Sequence, residues 1–403
     1  MTRATATAFC EMRPTFHIGG LYGKGRGTGW AASWFPGSEV HFTYRGRTAL
    51  RRLCDIMDLA GAEVLVPSYN CGAETEPYTD GGARIVPYRV DYGAQADIED
   101  MGRLVSERTR AVHVTHYFGF PQPVYEIRAL CERNDLFLIE DCALALFSGI
   151  RGRKLGSFGD AAVFSLPKGL PLPDGGALVI NNPRLRNPSW QKRHVPLLRT
   201  ARGALSLSAS AFLRRLSLSD SLHPLYLSLH GRRVAKELAS LPDGADPETL
   251  PDVPDWMHFS EDFRDRGISG LSERLLRRVD EGEVVRLRRR NYMHLASCLP
   301  DRPDFRPLYT TLPPDVCPMG FPLVCNDRER LYRSTLALGV ESAIWWHGFP
   351  RNIDWGRFPE ARFLKTHVLL LPVHQGLSEK DMEQIARCLA AGACGPHGVS
   401  LPH

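Results

Sequence analysis

No stretch of the chain approaches the roughly 20 consecutive apolar residues that a bilayer-spanning helix needs. Its first residues, MTRATATAFCEMRP, also lack the apolar core of a secretory signal. These absences argue against a helical membrane protein and predict a cytoplasmic one. Ten cysteines are present but none forms a C-x-x-C pair, which argues against a zinc ribbon or finger and against a redox dithiol. They read as small, reduced core residues, and no metal site is expected. An excess of one charge is missing too: 50 basic against 45 acidic side chains leave +5. Without an accompanying binding motif, that balance does not point to nucleic acid. Internal repeats and low-complexity tracts are absent.

What is there is an ordinary soluble composition, 43% hydrophobic and 24% charged, on 403 residues. That length predicts more than one domain. From residue 44 the pattern alternates. Leu50, Leu53, Cys54 and Met57 recur at helical spacing, and EVLVPSY is a short buried strand. ARIVPYRVD, RAVHVTHYFG and LFLIED are further strands, separated by the helical DIEDMGRLVSERT and YEIRALCERND; DAAVFSL and GGALVINN add two more. Strands alternating with helices of this length predict parallel βαβ units with both sheet faces covered. In such sheets ligands bind beyond the carboxyl ends of the strands. Asn70, Cys71, His116, Tyr117 and Asp141 fall at such ends.

The flanks read differently. The first forty residues form an irregular, aromatic-rich arm that either packs on a neighbouring subunit or is a surface loop. Residues 184–254 break the alternation with a basic, Leu-rich and Ser-rich insertion, in which Leu205, Ala209, Phe212, Leu213 and Leu216 can share a helical face. A basic amphipathic face suits a membrane surface or an acidic partner. The favoured reading is instead a helical insertion packed on its own domain or across a dimer, with no membrane association. A Pro-rich linker, PDGADPETLPDVPDW, precedes one long amphipathic helical region over 267–299 and a small α+β unit. The division expected is 1–255 for a large α/β domain and 256–403 for a smaller C-terminal one.

Two local features carry chemistry. Gly46, Arg47 and Thr48 open a helix whose free N–H groups can seat a phosphate, although Thr48 serves equally well as a plain helix cap. Asp141 closes an apolar run, and a solitary Lys168 follows after a Gly-rich connection, ahead of Gly175 and Gly176. An aspartate and a lysine in this order suit pyridoxal phosphate: the carboxylate keeps a pyridine nitrogen protonated, and the amine forms a Schiff base and moves protons. Spacing alone does not establish the pair.

Taken in order, GRTAL, EVLVPSY, ARIVPYRVD, VHVTHYFGFP, FLIEDCALA, KLGSFGDAAVFS, Lys168, DGGALVINN and LLLPVHQGLSEKDMEQI resemble the DegT/DnrJ/EryC1/StrS family of PLP-dependent aminotransferases. The resemblance covers roughly 40–183 and 260–390. It implies an aspartate-aminotransferase-like fold (PLP fold type I), with a large mostly parallel sheet domain and a smaller C-terminal α+β domain. It also implies a homodimer with shared active sites. The reaction implied takes an amino group from a donor such as glutamate to a keto sugar or related intermediate. Lys168 becomes the Schiff-base lysine, Asp141 the partner of the pyridine nitrogen, and Ser165 with the amides of Arg47 and Thr48 the phosphate contacts. Cys71 and Tyr69 fall beside the cofactor, while His116, Tyr117 and His374 are candidate substrate contacts. The chain departs from the family at Leu144, where a glutamine is common, at Leu146, where a histidine is common, and at Cys71, where an aromatic ring is usual. Ser165 and Lys168 also stand closer together. These departures leave open a second PLP chemistry, namely dehydration, elimination or amino-acid condensation. A third reading is a catalytically idle relative acting through the basic insertion.

Overall fold

The computed structural model describes residues 9–15, 34–186, 193–219, 221–240, 260–346, 348–350 and 353–392. The alternation read in the sequence becomes β1 (Glu39–Thr43), α1 (Gly46–Ile56), β2 (Glu63–Pro67), α2 (Gly72–Asp80), β3 (Arg84–Tyr88), α3 (Ile98–Leu104), β4 (Thr109–Thr115), α4 (Val124–Arg133), β5 (Phe137–Asp141), β6 (Ala161–Ser165), a short helical turn α5 (Leu166–Gly169) and β7 (Gly176–Ile180). The seven strands form one sheet in the order β1-β7-β6-β5-β4-β2-β3. Pairings from β3 to β6 are parallel, whereas β7 pairs antiparallel with β6 on one side and with β1 on the other. Both faces are buried. In β2, Leu65 joins one hydrophobic cluster while Val64 and Val66 join the other, which holds Leu50, Leu53 and Cys54 of α1. Apolar residues on both sides of one strand explain why EVLVP reads as an unbroken apolar run.

The expected irregular arm is corrected at its end: Glu39–Thr43 is an edge strand paired from Glu39↔Ile180 to Thr43↔Gly176. Further back, Phe9 packs with Leu216 and Tyr226, and Cys10 bridges to Val340. Residues 16–33 of the arm lie outside the described residues.

The basic stretch contains α6 (Leu197–Ser217) and α7 (His223–Ser240). Its predicted apolar face is only partly the packing face. Leu216 is buried and Leu213 is packed against the Phe9–Tyr226 cluster, but Leu205 and Phe212 are 68% and 54% exposed. Arg214 turns inward instead, bonding Asp381 at 2.7 Å and the carbonyl of Phe9. The Pro-rich linker falls on residues outside those described.

The long helical region predicted over 267–299 is two helices, α8 (Gly270–Leu276) and α9 (Glu281–Cys298). The break comes at Asp280, whose carboxylate accepts from the Glu283 amide at 3.0 Å and caps a new helix. Beyond it, β8 (Phe305–Pro307), β9 (Phe321–Cys325), α10 (Arg328–Ala337), β10 (Ala343–Ile344), α11 (Pro359–His367), β11 (Val368–Leu371) and α12 (Glu379–Gly392) follow. Their four strands form an antiparallel sheet ordered β8-β9-β11-β10. Among the described residues, no helix is long and apolar enough to cross a membrane.

Candidate active site

Parallel strands place their carboxyl ends on one edge of the sheet. There β2 leads to Ser68–Cys71, β4 to His116 and Tyr117, β5 ends on Asp141, and β6 ends on Ser165. Glu140 fixes the geometry just behind this edge. Its carboxylate accepts from the amides of Gly156, Phe158 and Gly159 at 2.8, 2.7 and 2.6 Å, holding the connection that feeds β6 against β5.

Asp141 is 6% exposed, and its Oδ1 accepts from the Ala143 amide at 2.7 Å. Burial pushes its pKa up, the nearby Glu74 carboxylate adds to this, and His113 and Lys168 oppose it. His113 Nε2 lies 3.8 Å from Asp141 Oδ2 and 3.1 Å from Glu74 Oε1.

Lys168 sits in the last turn of α5, with Pro167 in the first. A proline costs little there, since the first helical amides have no partner. The ammonium of Lys168 stands over the Trp345 ring, 5.6 Å from its centroid. Behind the turn, Arg288 and Gln375 both donate to the Gly169 carbonyl, at 2.9 and 3.0 Å. Leu144 and Leu146 line the apolar recess between this turn and Arg288.

The N-terminus of α1 lies beside Ser165. Arg45 caps it in an extended conformation without any side-chain cap bond, so Thr48 is a residue of the first turn and not the cap. A Cβ on Gly46 would come within 3.5 Å of Ser165 Cβ, and a Cβ on Gly176 would collide at 2.3 Å with the Arg45 carbonyl carbon. Glycine at 176 therefore lets the α1 N-terminus close onto the sheet. Thr48 Oγ1 and Arg47 Nη1 are buried here and find no hydrogen-bond partner among the described residues. A buried polar group left so costs about 1–3 kcal/mol, a cost that a bound anion would remove.

The remaining predicted residues divide. Tyr69 and Tyr117 are packed together, ring centroids 5.1 Å apart, with Tyr69 also 4.9 Å from Trp346. The Tyr69 hydroxyl donates to the Trp345 carbonyl at 2.6 Å, and that of Tyr117 to the Tyr69 carbonyl. Cys71 caps α2 and is half-buried. His116 is turned away from the edge: its Nε2 meets Glu140 at 3.1 Å and its Nδ1 accepts from the Gln122 amide. His374 likewise spends both nitrogens internally, on the Glu11 carbonyl and the Gly376 amide. Both histidines are at most 1% exposed, and both ring nitrogens of each are engaged by groups within the protein. Sequence reasoning missed Glu74, His113, Arg288, Gln375 and the Trp345–Trp346 wall. The one available signal was a histidine inside the apolar strand RAVHVT.

Residues 44–194 match the DegT/DnrJ/EryC1/StrS aminotransferase family. The chain is 33% identical over 124 residues to GDP-perosamine synthase of Vibrio cholerae, spanning 30% of this chain and 34% of that protein. It is 25% identical over 369 residues to the erythromycin biosynthesis sensory transduction protein EryC1 of Saccharopolyspora erythraea, covering 84% of each. Among solved structures, Helicobacter pylori PseC, an aminotransferase involved in pseudaminic acid biosynthesis, superposes with a TM-score of 0.65 at 15% identity, over 96% of this chain and 99% of that one. The architecture is thus the aspartate-aminotransferase-like fold, PLP fold type I, with a large mostly parallel sheet and a smaller sheet-and-helix region toward the C-terminus. Pyridoxal 5'-phosphate is the cofactor these relationships indicate. The residues fit it: unpaired donors at a helix N-terminus for a phosphate, a buried carboxylate for a ring nitrogen, and a primary amine on the same sheet edge.

Proposed function

We propose, on the premise that residues 44–194 make the chain a member of the DegT/DnrJ/EryC1/StrS aminotransferase family, that it is a PLP-dependent aminotransferase. In this reading it moves an amino group from an amino acid such as glutamate to a keto sugar or related biosynthetic intermediate. The observation that carries the reading is the meeting of Asp141, Lys168 and the unpaired donors of Arg47 and Thr48 at one sheet edge. When bound, pyridoxal phosphate supplies an aldehyde carbon for a lysine amine and a ring that withdraws electrons.

The chain's own residues do the rest. Arg47, Thr48, Ser165 and the free amides of α1 hold the phosphate. Asp141 faces the ring nitrogen and favours its protonated form. Tyr69 and Cys71 border the ring, Tyr69 by its contact with the tryptophan wall and Cys71 from the cap of α2. Lys168 anchors the cofactor and, once released, carries a proton to and from the substrate carbon. The Trp345 ring, over which the amine stands, covers it on one side. A homodimer sharing its active sites and a cytoplasmic setting belong to the same reading.

Purified protein mixed with pyridoxal phosphate develops a visible absorption band that Lys168→Ala abolishes; a wild-type protein that stays colourless sinks the proposal. A second reading, a PLP-dependent dehydration, elimination or condensation, has one observation in its favour. Leu144 and Leu146 make the recess beside the lysine turn apolar where a donor to the cofactor is common. Labelled nitrogen from glutamate that fails to appear in product would favour it.

A further inference from the structure

Glu74 and His113 have no part in the reaction as described, yet they are among the least accessible ionisable groups in the protein: His113 is 1% exposed and Glu74 8%. They arrive from different elements. Glu74 lies in the first turn of α2 and His113 in the middle of β4. With Asp141 they form one cluster whose facing atoms all lie within 4.8 Å of one another.

The partners fix the direction of the imidazole. Nδ1 is 2.8 Å from the Tyr78 hydroxyl. Nε2 looks at Glu74 Oε1 at 3.1 Å and Asp141 Oδ2 at 3.8 Å, with the Thr115 hydroxyl, which donates to Glu74, 3.3 Å away. Two carboxylates can only accept, so Nε2 carries a hydrogen in either charge state. Tyr78 is the one partner that can both give and take: it donates to Nδ1 of the neutral ring and accepts from Nδ1–H of the cation.

Without the imidazole, two buried carboxylates would face each other. Like charges at such a separation do not both stay ionised in a dry site, and one takes up a proton. The groups that bear on Asp141 are Glu74 and Tyr78 of α2, His113 of β4, Lys168 of α5 and the adjoining Cys142.

We propose that His113, by standing between Glu74 and Asp141, is a positioning residue that shields Asp141 from the Glu74 carboxylate and so keeps it ionised toward the cofactor's ring nitrogen. The proposal rests on the assignment of Asp141 made above. The imidazole stands between the two carboxylates, so that removing it alone leaves Glu74 facing Asp141, whereas removing both leaves Asp141 with no carboxylate opposite it.

The test is a cycle of four full-length proteins: wild type, Glu74→Gln, His113→Gln and the double variant. Each is titrated with pyridoxal phosphate as a function of pH, with the dissociation constant read from the visible band and from protein fluorescence. His113→Gln is expected to weaken binding on the acid side, up to about tenfold for each unit by which the Asp141 pKa rises, and to bind like wild type at alkaline pH, where the carboxylate is ionised in both. Glu74→Gln and the double variant are expected to stay near wild type. An unchanged His113→Gln, or a double variant at least as weak as the single one, overturns the proposal; the latter is what a purely structural role gives. If His113→Gln folds poorly, the thermal midpoint carries the same comparison, and a double variant no more stable than the single one overturns it. A wild-type protein that binds no pyridoxal phosphate removes the functional reading itself, a different failure from a wild type that binds and a cycle that shows no rescue.

Discussion

Glu74, His113 and Asp141 are ionisable groups shut away from water, whereas Leu197, Leu198, Leu205 and Phe212 of α6 stand between 54% and 83% exposed to it. Each region inverts the usual sorting of side chains. In the first, the His113 imidazole stands between the two carboxylates, 3.1 Å from Glu74 and 3.8 Å from Asp141. In the second, the exposed leucines share their helix with Arg199, Arg202 and Arg215, also exposed, and with no acidic residue. The lesson is that burial of charge is legible from its partners inside the chain, whereas exposure of leucine is legible only against something outside it.

The sharpest way to break the contrast is to neutralise the buried side. Asp141→Asn should keep the fold and its volume but lower transamination by at least about 100-fold, measured as amino-group transfer at saturating cofactor; a near-normal rate would detach Asp141 from the chemistry. Next in size is Arg288, a buried cation with no carboxylate partner among the described residues. Its guanidinium is spent on Gln375 and the carbonyls of Pro318, Met319 and Gly169, and burial pushes its pKa down. Arg288→Met should cost about 2–4 kcal/mol in denaturant unfolding, because several carbonyls lose their donor at once.

A smaller effect comes from Glu11, which burial raises to about 7. A carboxyl group raised in the folded state binds its proton more tightly there than when unfolded. Its contribution to stability is therefore present at low pH and fades as pH rises from about 4.5 toward about 7. Glu11→Gln should flatten that slope by on the order of 1–2 kcal/mol, read from unfolding curves across the window. Smallest of all, Leu205→Gln with Phe212→Gln should change unfolding free energy by no more than about 0.5 kcal/mol. A larger loss that grows on dilution would show that a second copy of the chain covers this face.

The alternation of strands and helices from β2 to β7 was legible because each element repeats a simple period: EVLVP is buried throughout, and α1 buries Leu50, Leu53 and Cys54. Asp141 and Lys168 stand out in the sequence through their order along the chain, and the fold brings β5 and the turn after β6 to the same sheet edge. Glu74 and His113 were not, since a glutamate in AETEPY and a histidine in RAVHVT are separated by 39 positions and meet only when α2 folds over β4. The strand β1 was hidden in an aromatic stretch because its register depends on β7, more than a hundred residues away. The true packing face of α6 was missed for a related reason: Arg214 is drawn inward by Asp381 and Phe9, which no local period reveals.

The carbonyl of Gly169 accepts from both Arg288 of α9 and Gln375 beyond β11. It belongs to the residue directly after the lysine. Two donors from the far part of the chain thus hold the backbone beside Lys168 Nζ, as a bearing holds a shaft. In the proposed reaction the position of α9, through Arg288, sets where the peptide next to Lys168 stands, although α9 itself contributes no group to the chemistry.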